Sequence, residues 1–302
     1  MIHLFALLSL LLCSVCYTGF QNSSHFHNTS NRRSLLLLVF GGALLLRLLL
    51  AYTTHGFSND IACFAAWADR IFTLGPGQFY SAEMFTDYPP GFMYVLYLIG
   101  ALRSLLQIPY YSDLHILLLK LPAILCDIAC GFLLYREAVK RLHFSDLQGI
   151  FAASAYLFQP AVILNSSCWG QVDSVYTLMI ILMCLFLMKG NLLPAYAVYG
   201  LGVLLKPQML IFTPVLLAGI WDHVFLQDFS WRKFFYNLCG GLVVICGMLL
   251  LCAPFGLTAA ISQYTSTLGS YEYAAINAYN FWGLLGMNWV RSEERRVGKE
   301  CR

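Results

Sequence analysis

Apolar runs recur along this chain at residues 34–51, 89–106, 114–135, 147–164, 174–188, 192–205, 208–224 and 234–254. A helix needs about 20 predominantly apolar residues to cross the hydrocarbon core of a bilayer, and several of these runs are that long. Inside lipid a segment must satisfy its own peptide groups, so any run that crosses must be a helix. Charged residues make up 11% of the chain, against about 25% in a soluble domain. That is too little charge to coat a water-facing surface. The expected fold class is therefore an all-α polytopic membrane protein. A net charge of +3 without a basic stripe gives no reason to expect a nucleic-acid partner.

The two ends differ from the middle. Residues 1–20 are apolar but lack a basic leading region, so a signal peptide and an additional helix are equally compatible with them. With the linker that follows, they form an N-terminal segment over 1–33. After Val290 the sequence turns abruptly to RSEERRVGKECR. That run resembles the conceptual translation of a sequencing adapter, and residues 291–302 are set aside as an artefact. The membrane domain is expected over 34–290, incomplete at its C-terminal end. The eleven cysteines are scattered singly, without metal-ligand or disulfide spacing, and read as small buried apolar residues.

Charge placement orients the chain. Arg32 and Arg33 precede the first run, and cytoplasmic flanks are enriched in such residues. Residues 52–88 then lie outside. Within them Ile61, Phe64, Ala65, Ala68, Ile71 and Phe72 fall at helical spacing, which predicts an amphipathic helix lying on the membrane surface. Arg136, Lys140, Arg141, Lys189, Arg232 and Lys233 all become cytoplasmic only if one run fails to cross. The run 89–106 is taken as that one, a re-entrant or interfacial helix. The active face is then extracytoplasmic and holds Asp60, Asp87, Gln171, Asp173, Lys206, Asn277 and Asn280.

Asp60 stands at the start of the amphipathic helix. It could be a helix-start charge favoured by the macrodipole, or a general base toward an acceptor hydroxyl. Asp87 and Tyr88 precede Pro89-Pro90-Gly91, a rigid turn that explains the prolines but not the acid. Trp169-Gly170-Gln171-Val172-Asp173 joins two apolar runs; Trp169 suits an interfacial anchor, while Gln171 and Asp173 suit the holding of sugar hydroxyls. Lys206, two residues before Gln208, either snorkels to the interface or stabilises a departing phosphate, with Arg70 in the outer loop as a second candidate for that cationic role. Asn277 and Asn280 lie in an aromatic stretch suited to sugar stacking or to a membrane belt. Lys120 and Asp127, seven residues apart on one helix face, read as glue between helices.

Taken together, Asp60, Trp67-Ala68-Asp69, DYPPG, WGQVDS, LLKPQ and NAYNFWGL occur in an order that resembles the bacterial membrane mannosyltransferases likened to GPI-anchor mannosyltransferases. More broadly, the chain is similar to the GT-C glycosyltransferase superfamily over nearly all of 34–290. The resemblance implies a multi-helix bundle with a catalytic first outer loop. It implies a polyprenyl-phosphate-linked hexose, mannose above all, as donor to a lipid, glycan or protein acceptor, transferred with inversion. It places the essential acid at Asp60 and a second acidic motif at Gln171–Asp173, where this chain has only one acid. No cofactor is expected, although a divalent metal stays open. Two rival readings remain: a transporter or flippase, which would gather polar residues near the bilayer midplane, and a non-catalytic subunit of an envelope-assembly complex.

Overall fold

The computed structural model describes residues 10–12, 14, 17–19, 32–80, 85–227, 229–269, 273 and 281–291. Most of the segments assigned to 1–33 and 291–302 lie outside them, as do Asn277 and Asn280. Among the described residues the fold is all helical, apart from an isolated bridge between Tyr273 and Arg291.

The helices, in chain order, are α1 (Arg32–Thr53), α2 (Ser58–Leu74), α3 (Pro90–Leu105), α4 (Asp113–Lys140) and α5 (Asp146–Leu157). They continue with α6 (Pro160–Trp169), α7 (Asp173–Met188), α8 (Leu192–Leu205), α9 (Pro207–Leu226), α10 (Trp231–Cys252) and α11 (Leu257–Gly269). Helices α1, α4, α9 and α10 are long and apolar enough to span, and α5 with α6 forms a further, bent candidate. The chain is a polytopic all-α membrane protein.

Local chemistry sets the breaks between these helices. Ser112 caps α4, its hydroxyl accepting from the His115 amide at 3.3 Å. Ser145 and Gln148 form a reciprocal capping box at the start of α5. The expected single run at 147–164 is instead two helices meeting at 51°. Pro160 cannot donate to the preceding turn and disfavours helical geometry at Gln159, so the span bends there. Helix α3 has only 16 residues, but so does α7, and α8 has 14. Length therefore does not set α3 apart from its neighbours.

One expectation needs correction. The apolar face of α2 does not lie open toward lipid. Ile61, Phe64, Ala65, Ala68 and Ile71 are buried against Phe92, Met93, Leu96 and Ile99 of α3 and Ile116 and Leu119 of α4. Gly100 permits this approach, since a Cβ there would sit 2.5 Å from the Ala68 carbonyl oxygen. Amphipathic periodicity reports that one face is apolar; it cannot say whether lipid or protein covers it.

Arg47, Lys120 and Asp127, buried between helices, each bond several partners. Arg47 of α1 donates to Asp127 of α4 at 3.1 Å and to the Leu157 carbonyl at 2.7 Å. Asp127 also accepts from Ser166 at 2.6 Å, Ser174 at 2.5 Å and Tyr156 at 3.3 Å. Lys120 donates to the Ala51 carbonyl at 3.2 Å and the Thr54 carbonyl at 2.6 Å. It thereby satisfies carbonyls left over at the end of α1. Lys120 and Asp127 do join helices, and through α1, α4, α6 and α7 they fix the segments that carry the site.

Candidate functional site

Helix α6 does not end as an ordinary helix. From Leu164 to Trp169 it widens into a π-helix and closes at Gly170, whose φ is 88°. The Gly170 and Gln171 amides both donate to the Asn165 carbonyl, at 3.0 and 2.9 Å. Such wide turns concentrate at functional sites because they re-aim side chains. Here the turn presents Trp169 and Gln171 to the first turn of α2. The Trp169 indole donates to Asp60 Oδ2 at 3.0 Å, and the Gln171 amide donates to the same oxygen. The Trp169 ring stacks on Phe57 at 5.0 Å, and the Phe57 amide donates to the Trp169 carbonyl at 2.9 Å. Asp60 is therefore held by the second polar loop rather than merely capping its own helix.

Past the buried Val172, Asp173 begins α7 and pairs with Lys206, while Asn165 donates to its other oxygen at 2.9 Å. The Lys206 ammonium also lies over the rings of Tyr88, at 5.8 Å, and Tyr176, at 5.5 Å. It can do so because Pro207 stops α8 and opens the chain into a 3-10 turn, placing Lys206 in extended geometry at φ −152°. The lysine's charge is thus spread over a carboxylate and two aromatic faces.

Between these two clusters lies a cleft of about 550 Å³. Asp60, Asp87, Gln171, Lys206 and Gln208 supply its polar lining. Phe64, Trp67, Phe85 and Tyr88 supply aromatic walls, with Cys63, Pro207, Leu210 and Ile211 completing it. Trp67 is anchored by its indole donating to the Phe85 carbonyl at 3.0 Å. The Cys63 thiol pKa is pushed up, by burial first and then by the negative fields of Asp87 and Asp60. That shift agrees with both carboxylates converging on one spot.

Most of the residues singled out by sequence are brought together here. Asp60, Asp87, Tyr88, Gln171, Lys206 and Gln208 line the cleft, and Trp169 and Asp173 hold two of them in place. Arg70 is a correction: its guanidinium donates to the Phe79 carbonyl at 2.9 Å and the Gln78 carbonyl at 3.0 Å, and it is absent from the lining. Asn165 and Tyr176 were missed, and Trp67 was picked out only within the Trp67-Ala68-Asp69 motif. Asn165 left a signal, as the polar residue immediately after the apolar run 147–164. Among the described residues, no three His, Cys, Asp or Glu side chains converge as a metal site.

No curated protein matches this chain. Residues 33–275 match the family model described as GPI transamidase subunit PIG-U. This is a GT-C-like multi-pass membrane family, in keeping with the superfamily resemblance. The match does not extend to mannosyltransferase specificity. Since it covers most of the chain, from the start of α1 through α11, this protein belongs to the PIG-U family.

Proposed function

We propose that this chain is a membrane-embedded subunit of a GPI transamidase, and that its polar cleft holds the glycan headgroup of the GPI lipid. The cleft carries this reading. It combines carboxylates, amides and aromatic faces, the set that grips sugar hydroxyls and stacks on sugar rings, at one end of a bundle of apolar helices. Asp60 has one oxygen filled by two donors, which fixes its orientation. Its other oxygen can accept from a ligand hydroxyl.

A second reading, hexosyl transfer, is favoured by one observation: Asp60 and Lys206 line the same cleft. In that reaction an acceptor oxygen bonds to the anomeric carbon, its proton passes to Asp60, and the bond from that carbon to the polyprenyl phosphate breaks with inversion. Lys206 would meet the departing phosphate. Its existing pairing with Asp173 weighs against that role and toward binding.

One substitution separates the readings. Asp60→Asn keeps the shape but loses the charge. In the full-length protein it is expected to leave co-purification with the other transamidase subunits unchanged. Protein transfer to GPI should fall about tenfold, the scale of one charge-assisted hydrogen bond. Unchanged transfer would remove the cleft from GPI recognition. Robust transfer of mannose from polyprenyl-phosphate mannose by wild type, lost in Asp60→Asn, would instead favour the enzyme.

A further inference from the structure

A groove of about 400 Å³ runs between α8, α9 and α10, away from the polar cleft. Its volume lies within the roughly 300–1,000 Å³ of small-molecule sites. Leu216, Ile220, Val244 and Met248 are among its apolar walls. The polar groups that reach it bond one another or the backbone. The Tyr196 hydroxyl donates to Asn237 Oδ1 at 3.4 Å, the Asn237 amide donates to the Lys233 carbonyl at 2.8 Å, and the Tyr199 hydroxyl pairs with Thr213. Such walls suit an apolar chain. Gly241 of α10 keeps the groove open, because a Cβ there would meet nothing within 4 Å. From Phe234 to Met248 the groove follows about 21 Å of helix at ~1.5 Å per residue. That is long enough to cross one leaflet, half of a hydrocarbon core about 30 Å thick.

The mouth of the groove is basic. Helix α9 closes in a π-turn over Asp222–Leu226, which brings Val224 and Phe225 into the wall. His223 packs on the turn after α7, where a Cβ on Gly190 would lie 2.9 Å from its ring. That turn carries Lys189, and Arg141 donates to its Met188 carbonyl at 3.3 Å. Arg232 and Lys233 open α10 just before Phe234, which lines the groove. These cations outnumber the acids of the adjoining sequence, Asp222 and Asp228, and Asp222 accepts from Gln227 at 2.6 Å. Aromatic rings gather at the same level: Trp221 and Phe225 at 4.7 Å, Phe225 and Phe229 at 5.8 Å, Phe229 and Trp231 at 5.2 Å. Aromatic belts of this kind sit at the headgroup depth of a bilayer.

We propose that this groove holds an acyl chain of a bilayer phospholipid of net negative charge, with its phosphate among Lys189, Arg232 and Lys233. Charge complementarity decides the occupant. A neighbouring helix would be served by the apolar walls alone and would leave the basic mouth unused. A zwitterionic lipid brings its own cation to that mouth and gains less from it. Basic pockets between membrane helices are suited to anionic headgroups for this reason. The groove goes beyond the glycan reading and does not depend on it.

Photo-labelling tests this. The full chain is placed in phosphatidylcholine nanodiscs containing either phosphatidylserine or phosphatidylcholine with a diazirine on its acyl chain, and labelled residues are mapped after illumination. In wild type, phosphatidylserine should label Tyr196 and Ile245 about tenfold more than phosphatidylcholine does, while Val243 and Leu250, exposed on another face of α10, show no preference. Lys189→Gln with Arg232→Gln should lower the preference at least fivefold, about the weight of one cation at an anionic surface. Gly241→Leu should reduce groove labelling by both lipids and leave Leu250 unchanged. Equal labelling by the two lipids in wild type, or a preference untouched by the charge variants, overturns the anionic headgroup. Labelling of Leu250 without Tyr196 or Ile245 overturns the groove. Groove labelling should persist when the chain is labelled within a complex co-purified from its membrane; loss there assigns the groove to a partner's helix and overturns the lipid.

Discussion

Asp127→Leu is expected to destabilise the protein by about 3–5 kcal/mol, the usual cost of stranding one member of a buried ion pair. Arg47 would keep only the Ala43 and Leu157 carbonyls, at 3.2 and 2.7 Å; the hydroxyls of Ser174 and Tyr156 would lose the carboxylate as acceptor, and Ser166 would fall back on the Val162 carbonyl at 3.1 Å. Arg47→Met should cost less, roughly 2 kcal/mol, because Asp127 would retain those three hydroxyl donors. Arg47→Met with Asp127→Leu removes both charges and should be milder than Asp127→Leu alone. Thermal or denaturant unfolding in detergent micelles checks the order. If Arg47→Met is the worst of the three, the network is not centred on Asp127.

Gly170→Ala is expected to damage the cleft more than the fold. Its φ of 88° strains any side chain by about 1–2 kcal/mol. Its added Cβ would also meet Ile61 Cδ1 at 2.6 Å and Lys120 Cε at 3.3 Å. Ile61 follows Asp60 in α2, so relief of the clash displaces the carboxylate from Trp169 and Gln171. Affinity for GPI glycolipid should fall at least tenfold, since misplacement by about 1 Å can cost a site that much. Assembly with partner subunits should persist. Gly247→Ala is the control, because nothing lies within 4 Å of a Cβ there. Equal behaviour of the two variants would mean the π-turn does not position Asp60.

The architecture was legible because membrane spans are written in plain hydropathy. The runs at 34–51, 114–135, 208–224 and 234–254 match α1, α4, α9 and α10 to within a few residues, apart from the C-terminal end of α4. The π-turn at Leu164–Trp169 was not legible, since no side-chain period distinguishes an i→i+5 ladder from an ordinary helix. Arg47 was passed over inside an apolar run because its partner lies eighty residues away. The face of α2 was identified as apolar but assigned to lipid instead of α3, which hydropathy cannot separate.

At the site, the ordered motifs picked out residues that the fold brings into one cleft, while suggesting a transferase. The chain belongs to a family described as a GPI transamidase subunit, so a likeness of fold and motif order does not carry a transferase function with it. What the motifs could not convey was pairing. Sequence offered Lys206 as an unclaimed cation for phosphate, whereas the fold commits it to Asp173 and leaves Asp60 with neutral partners. That difference shifts the balance from chemistry at phosphate toward recognition of a headgroup.

The central claim, that GPI seats its headgroup in this cleft, is tested most directly by photo-crosslinking. A GPI analogue with a diazirine on its glycan, bound to the full-length protein within its complex, should label peptides containing Trp67, Phe85–Tyr88 and Gln208–Ile211. That labelling should fall in Asp60→Asn. Labelling confined to the exposed face of α10, or undiminished by Asp60→Asn, would contradict the account.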